Sequence, residues 1–234
     1  MTTYIKLTLI FLYTAILSVV AIIFAIVDRS FTLYFWLSKV FSKGILLISG
    51  IRLDVKGLEN IDPAGVYVYV SNHSSMYDIP AIQYAVPNRA SIVFKQELGN
   101  IPLFGWQLKM GPYIIIDRRN PEKAMKSIEK AKSTMKNKGF SIILFAEGTR
   151  SKTDEVQPFK RGAFYLASRV SYPIIPVSIS GTGKILPKGK LKILPGKITV
   201  YFDKPIETGE IKSKKDEIEL MEKVREIVIK NKEF

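Results

Sequence analysis

The chain has 234 residues, 47% of them hydrophobic, enough to bury a full core in one large domain with a small appendage. With no cysteine it forms no disulfide, thiolate nucleophile or thiolate metal site, and one histidine excludes a histidine-rich metal centre. A formal net charge of +14 points to anionic partners, whether nucleic acid, anionic lipid headgroups or phosphorylated small molecules, without choosing among them.

Residues 7–27 carry no charge, and at about 1.5 Å per residue such a run matches a hydrocarbon core of about 30 Å. A membrane segment is expected, with a buried core helix as the blander alternative. A cleaved signal is disfavoured, because the apolar run is too long and no small-residue cleavage pattern precedes Asp28. In the next segment Asp28, Thr32, Trp36, Lys39 and Lys43 recur at steps of three and four, a polar stripe on an otherwise apolar helix. Snorkelling lysines beside a tryptophan suit the headgroup layer. Ser30 is the expected cap of this second helix. Residues 1–50 are therefore expected to form a two-helix membrane anchor. More basic residues follow the first helix than precede it, so the remainder is expected on the cytoplasmic side of the cell membrane.

From residue 51 the texture changes to short β-rich runs alternating with helical stretches. Residues 52–55, 66–70, 91–95, 113–116, 142–145, 174–179 and 198–202 read as strands by their β-branched and aromatic content. Helices are expected at 78–85, capped by Asp78 with Pro80 in the first turn, at 121–138, at 160–170 and at 213–232. This alternation predicts an α/β domain over residues 51–234, with a largely parallel or mixed sheet flanked by helices. The Gly-, Pro- and Lys-rich loop at 181–196 reads as an exposed basic excursion.

Two segments that directly follow strands carry the chemistry-bearing residues, as ligand sites in such sheets do. Residues 72–78, NHSSMYD, hold the single histidine, His73, and set Asp78 five positions later. Five residues apart on a helix means about 140° of rotation, so the pair meets only across a turn that leads into a helix. There the carboxylate fixes the imidazole tautomer and stabilises the imidazolium formed when the other nitrogen takes a proton. No GxSxG elbow accompanies Ser74 or Ser75, so the base is expected to activate a substrate hydroxyl. Taken alone, a histidine satisfied by a nearby backbone group is an equally good account. Residues 145–150, FAEGTR, pack a carboxylate, a glycine, a hydroxyl and a guanidinium into one turn.

NHSSMYD resembles the NHxxxxD block of the glycerolipid acyltransferase family, and FAEGTR resembles its FPEGTR block. GPYIIIDR at 111–118 and IIPVSI at 174–179 are similar to its second and fourth motifs, in the same order. Ala146 stands where proline is usual. The resemblance implies acyl transfer from an acyl thioester to the sn-2 hydroxyl of 1-acyl-sn-glycerol 3-phosphate (lysophosphatidic acid), giving phosphatidic acid. It implies catalytic His73 and Asp78, and phosphate or glycerol binding by Arg118, Glu147, Gly148, Thr149 and Arg150, with Lys95 and Arg119 as further cations near strand ends. The expected partners are membrane lipids, anionic phospholipid included, and acyl-CoA or acyl carrier protein as co-substrate; no metal, cofactor or nucleic acid is expected. An acyl tunnel is expected from residues 79–86 or 101–110. Acylation of glycerol 3-phosphate or another lysophospholipid is the alternative within the enzyme class. A basic membrane-tethered binding module is the non-enzymatic one.

Overall fold

The computed structural model of the protein describes residues 2–116, 121–170, 172–208, 211 and 213–232. Two helices come first, α1 (Thr3–Val27) and α2 (Thr32–Ser49). There follow β1 (Ile51–Lys56), β2 (Val68–Ser71), α3 (Asp78–Ala85), β3 (Ala90–Lys95), α4 (Phe104–Met110), β4 (Ile114–Ile116) and α5 (Pro121–Lys138). The chain continues through β5 (Ser141–Phe145), α6 (Gly162–Val170), β6 (Ile174–Ser180), α7 (Thr182–Ile185), β7 (Gly196–Phe202) and α8 (Lys214–Lys230). Every strand expected from the sequence is present with its boundaries moved by a residue or two, whereas the short helices α4 and α7 were not expected.

The strands form one seven-stranded sheet in the order β1-β7-β6-β2-β5-β3-β4. Strands β2 to β6 are mutually parallel, β7 runs antiparallel to β6, and β1 pairs parallel with β7, so the sheet is mixed. Side chains alternate between its two faces. Tyr69, Ile143, Ile175, Val177 and Ile179 pack beneath α1 to α4. Val68, Val70, Ile142 and Ile174 pack against α5, α6 and α8. Central strands covered on both sides bury nearly every residue, which is why they read in the sequence as unbroken apolar runs.

Helix α8 starts with a capping box: the Ser213 hydroxyl accepts from Asp216 N and the Asp216 carboxylate accepts from Ser213 N, an arrangement worth about 1 kcal/mol. The start of α2 departs from expectation. Its N-cap is Phe31, in a left-handed conformation, not Ser30. The carboxylate of Asp28 takes the Leu33 N–H at 2.8 Å, and the Ser30 hydroxyl takes the Thr32 N–H. The Ser30 hydroxyl, which donates to Asp28 Oδ1 at 2.6 Å, and then the Leu33 N–H hold the Asp28 carboxyl below the usual carboxylate range. Gly50, left-handed at φ 70°, ends α2 and turns the chain into β1.

Among the described residues, α1 is the one helix long and apolar enough to cross a membrane. Its exposed residues Ile5, Leu9, Leu12, Ile16, Val19, Ile23 and Ile26 recur at steps of four and three, a single apolar stripe. The opposite face lies along the domain. Lys6 is buried and donates from Nζ to Ser49 O at 2.7 Å, Tyr13 donates to Val40 O, and Ala21 and Ala25 are buried. Helix α2 is amphipathic and half built into the core, burying Tyr34, Phe35, Leu37, Ile45 and Leu46 while exposing Trp36, Lys43 and Leu47.

Candidate functional site

The parallel strands β2, β5 and β6 end at the same edge of the sheet, and the chain leaves β2 there through Asn72. Its side-chain amide donates to Ile179 O at 2.9 Å and accepts from Ile179 N at 2.8 Å, extending the β2–β6 pairing by one residue after the strand ends. His73 is then held through its backbone from the neighbouring segment. Its N–H donates to Glu147 Oε1 at 2.9 Å, and its carbonyl accepts from Ser151 N at 2.7 Å. The imidazole stacks on Phe145, centroids 4.3 Å apart and planes 22° from parallel.

Asp78 Oδ2 lies 2.7 Å from His73 Nδ1. The same oxygen accepts from Ser74 N at 2.7 Å and Ser75 N at 2.8 Å, so Asp78 serves the turn and the imidazole, while the N-cap of α3 is Tyr77. The aspartate side chain is fully buried and the histidine side chain is 16% exposed. Because the carboxylate is an acceptor, Nδ1 carries the proton of the neutral ring and Nε2 is left with its lone pair.

Glu147 is buried, and burial pushes its carboxyl up to about 7. The bond from His73 N–H pulls the other way, and the negative charge of Asp78 adds to the rise. In the sequence this residue reads as a partner of an arginine or of a substrate hydroxyl. In the fold one of its oxygens, Oε1, accepts from the backbone N–H of His73, 74 positions away. Gly148 has φ 72°, and a Cβ there would come within 2.9 Å of Lys160 Cδ, so glycine serves both the turn and the close approach of that lysine. Thr149 is exposed and Arg150 half-buried, its carbonyl accepting from Lys188 Nζ at 2.6 Å. Ala146 donates its N–H to Ser71 O at 3.0 Å, a bond that proline at this position could not make.

The fold therefore brings together His73, Asp78, Glu147 and the Gly148–Arg150 turn. Lys95 ends β3 on the far side of β5, exposed and paired with Glu97 at 2.9 Å. Arg118 and Arg119 lie outside the described residues. Lys160 was not anticipated. It precedes α6 in a segment that loops back so that its N–H reaches Ala146 O at 2.7 Å, and nothing in the local sequence signals that return. The 181–196 segment is also less exposed than expected. Thr182, Ile185 and Ile193 are buried, and Leu186 O accepts from the Ser75 hydroxyl at 2.9 Å, closing the site on that side.

On the sheet face that carries α1 to α4 lies an apolar cavity of about 90 Å³, whose wall includes Ile79, the residue after Asp78. Ile79, Leu37, Phe41, Ala21, Phe94 and Leu108 contribute to its wall. Two hydrogen-bonded pairs complete it: Tyr34 donates to Gln107, and Gln83 donates to Tyr113 at 2.6 Å. Burial raises the Tyr34 and Tyr113 hydroxyls well above the ordinary tyrosine range, so both stay neutral.

A family model described as acyltransferase matches residues 52–180. The 1-acyl-sn-glycerol-3-phosphate acyltransferase of Cocos nucifera is 33% identical over 171 residues, covering 73% of this chain and 55% of that protein. Its counterpart from Saccharomyces cerevisiae is 31% identical over 198 residues, covering 83% of this chain and 64% of that one. Among solved structures, the crystal structure of the 1-acyl-sn-glycerophosphate (LPA) acyltransferase PlsC from Thermotoga maritima superposes with a TM-score of 0.77 at 28% identity, covering 97% of this chain and 95% of that one. The chain spans about half the length of the plant proteins it matches.

Proposed function

The chain belongs to the acyltransferase family, and from that footing we propose that it transfers an acyl group from a thioester to the sn-2 hydroxyl of 1-acyl-sn-glycerol 3-phosphate, forming phosphatidic acid. The relatives reported above carry that activity in their names. The observation that carries the reading to this chain is the 2.7 Å contact from His73 Nδ1 to the buried Asp78, with an apolar cavity whose wall includes the next residue, Ile79.

His73 Nε2 takes the proton of the acceptor hydroxyl as its oxygen attacks the thioester carbonyl. Asp78 holds the ring in register and balances the imidazolium. The tetrahedral intermediate collapses with cleavage of the C–S bond, and the departing thiolate takes the proton back from the imidazolium. The reaction consumes only the thioester and the hydroxyl, so it calls for no further group. Gly148, Thr149, Arg150 and Lys160 supply backbone and cationic donors to the acceptor phosphate; Arg118, Arg119 and Lys95 are further candidates for that role. Glu147 acts mainly through His73, by fixing its backbone. The donor is acyl-CoA or acyl carrier protein, its chain entering the cavity between α1 and α3.

The packing of α1 supports one membrane seating over the other. A 25-residue helix is about 37 Å long, yet its first turn bonds the end of α2, and in its last turns Ala21 and Ala25 are buried against the domain. A helix tied to the domain at both ends would draw Lys39, Lys43 and Lys109 into the bilayer centre if it crossed. It therefore lies along one leaflet with its apolar stripe down, and Trp36 and Leu47 of α2 beside it. Residues 1–50 form an anchor in this functional sense while sharing the core of the 51–234 domain, and they hold the site at the cytoplasmic face of the cell membrane.

The test is acceptor choice: purified protein in neutral vesicles, given a labelled acyl thioester with lysophosphatidic acid, glycerol 3-phosphate or other lysophospholipids. Transfer is expected to lysophosphatidic acid above the rest. Transfer to glycerol 3-phosphate alone would move the assignment to the earlier acylation, and no transfer to any acceptor would return the chain to a binding role.

A further inference from the structure

A second cavity, of about 330 Å³, opens at the opposite end of the sheet from His73, where β3 and β5 begin. One wall is the first turns of α2, with Thr32, Phe35, Trp36 and Lys39; the facing wall includes Asn88 and Arg89. Lys39 is half-buried, and its Nζ donates to Val86 O at 2.5 Å and to Tyr84 O at 3.4 Å. Those acceptors are neutral carbonyls at the end of α3, so the ammonium charge is solvated by dipoles and left uncompensated. Burial holds Lys39 below the usual lysine range, the mark of that cost. The Arg89 guanidinium sits over the Phe140 ring, 4.9 Å from its centroid. Among the described residues neither cation pairs with a carboxylate. Asn88 is committed to the scaffold, donating to Gly65 O and accepting from the Tyr69 hydroxyl.

The mouth of this cavity adjoins the apolar surface. Around α2, the residues that meet α1, namely Val40, Phe41 and Gly44, and the cavity-lining Phe35 and Lys39 lie on either side of an exposed stripe of Trp36, Lys43 and Leu47. Trp36 belongs to both, lining the cavity while 59% exposed. Cations behind a half-exposed indole, at the border of an apolar face, are what a lipid presents its phosphate to.

We propose that this cavity binds the headgroup of an anionic phospholipid from the membrane on which the protein rests. Its phosphate lies against Lys39 and Arg89, and its acyl chains descend past Trp36. The lipid is neither substrate nor product here, since the site is at the other end of the sheet. The proposal rests on the membrane seating argued above.

The full-length protein in neutral detergent is titrated with phosphatidylglycerol or phosphatidylcholine, and bound lipid is counted by native mass spectrometry. One phosphatidylglycerol per chain is expected to bind in preference to phosphatidylcholine. Near-surface charges contribute about five-fold each, so Arg89→Ala is expected to weaken binding about five-fold and Arg89→Glu about thirty-fold. Lys43→Glu makes the same charge change on α2, outside the cavity, and is expected to stay within about two-fold of the parent. Equal losses in Arg89→Glu and Lys43→Glu overturn the site in favour of diffuse attraction, as does the absence of a preferred adduct. Displacement of the lipid by inorganic phosphate at matched ionic strength reassigns the cavity to a free anion. Flotation on phosphatidylcholine vesicles tests the seating separately: a protein that floats but shows no preferred adduct loses this proposal alone.

Discussion

At the scale of single residues, the site is a histidine held at four points. Ring Nδ1 is on Asp78, the ring plane is on Phe145, and the backbone is fixed on both sides by Glu147 and Ser151. Asp78→Asn keeps an acceptor oxygen for the backbone N–H groups of Ser74 and Ser75 but removes the charge that balances an imidazolium. It is expected to cut kcat by about 10²–10⁴ with little change in KM, as read by steady-state transfer to lysophosphatidic acid. Glu147 gives a pH signature of its own. Burial favours its neutral form, so between the ordinary 4.5 and about 7 the folded chain keeps a proton that the unfolded chain has released. Its contribution to stability is complete below about pH 4.5 and is lost as pH rises through about 7, a span on the order of 3 kcal/mol. Over that same range the ionised carboxylate holds the His73 N–H more strongly, so orientation improves where stability declines. Urea midpoints of Glu147→Gln are expected to be flatter than the parent's over this window. The glutamine still accepts from His73, so transfer should survive far better than in Glu147→Ala.

The elements explain both what was legible beforehand and what was not. VYVYV and SIILF stand out because a strand buried on both faces has no reason to alternate, and β2 and β5 sit side by side in the sheet. His73 and Asp78 were legible as a pair because one turn joins them. Glu147 was visible as a residue but not in its role, since its bond to His73 spans 74 positions and depends on β2 and β5 being neighbours. The seven-residue α4 is too short to show a helical period, and Gly105 within it weakens the helical signal further. The expectation of a tunnel near 79–86 or 101–110 had touched both sides of one cavity, since Ile79, Gln83, Phe104 and Leu108 all line it. What no local pattern indicated is that α1 and α2 complete the wall. Ala21 of α1 faces this cavity. Ala21→Leu is expected to fill part of it and to lower use of the longest acyl donors relative to short ones by about ten-fold, measured as kcat/KM across a donor series.

On the scale of the whole molecule, seating along one leaflet makes a prediction about sides. The chain has no cysteine, so single cysteines at Thr2 and at Arg29 report the two ends of α1 directly. Both are expected to react with an impermeant maleimide from the outer surface of vesicles to which the protein has been added; a helix that crosses would shield one of them. The packing of α1 also constrains the order of events during synthesis. Translation delivers this helix before anything it packs on: Ser49, which takes the Lys6 ammonium, is 43 residues downstream, and α4 follows only at Phe104. In the proposed seating, lipid covers the apolar stripe of α1 from the start, and the maturing domain then packs on the opposite side, the one bearing Lys6, Ala21 and Ala25.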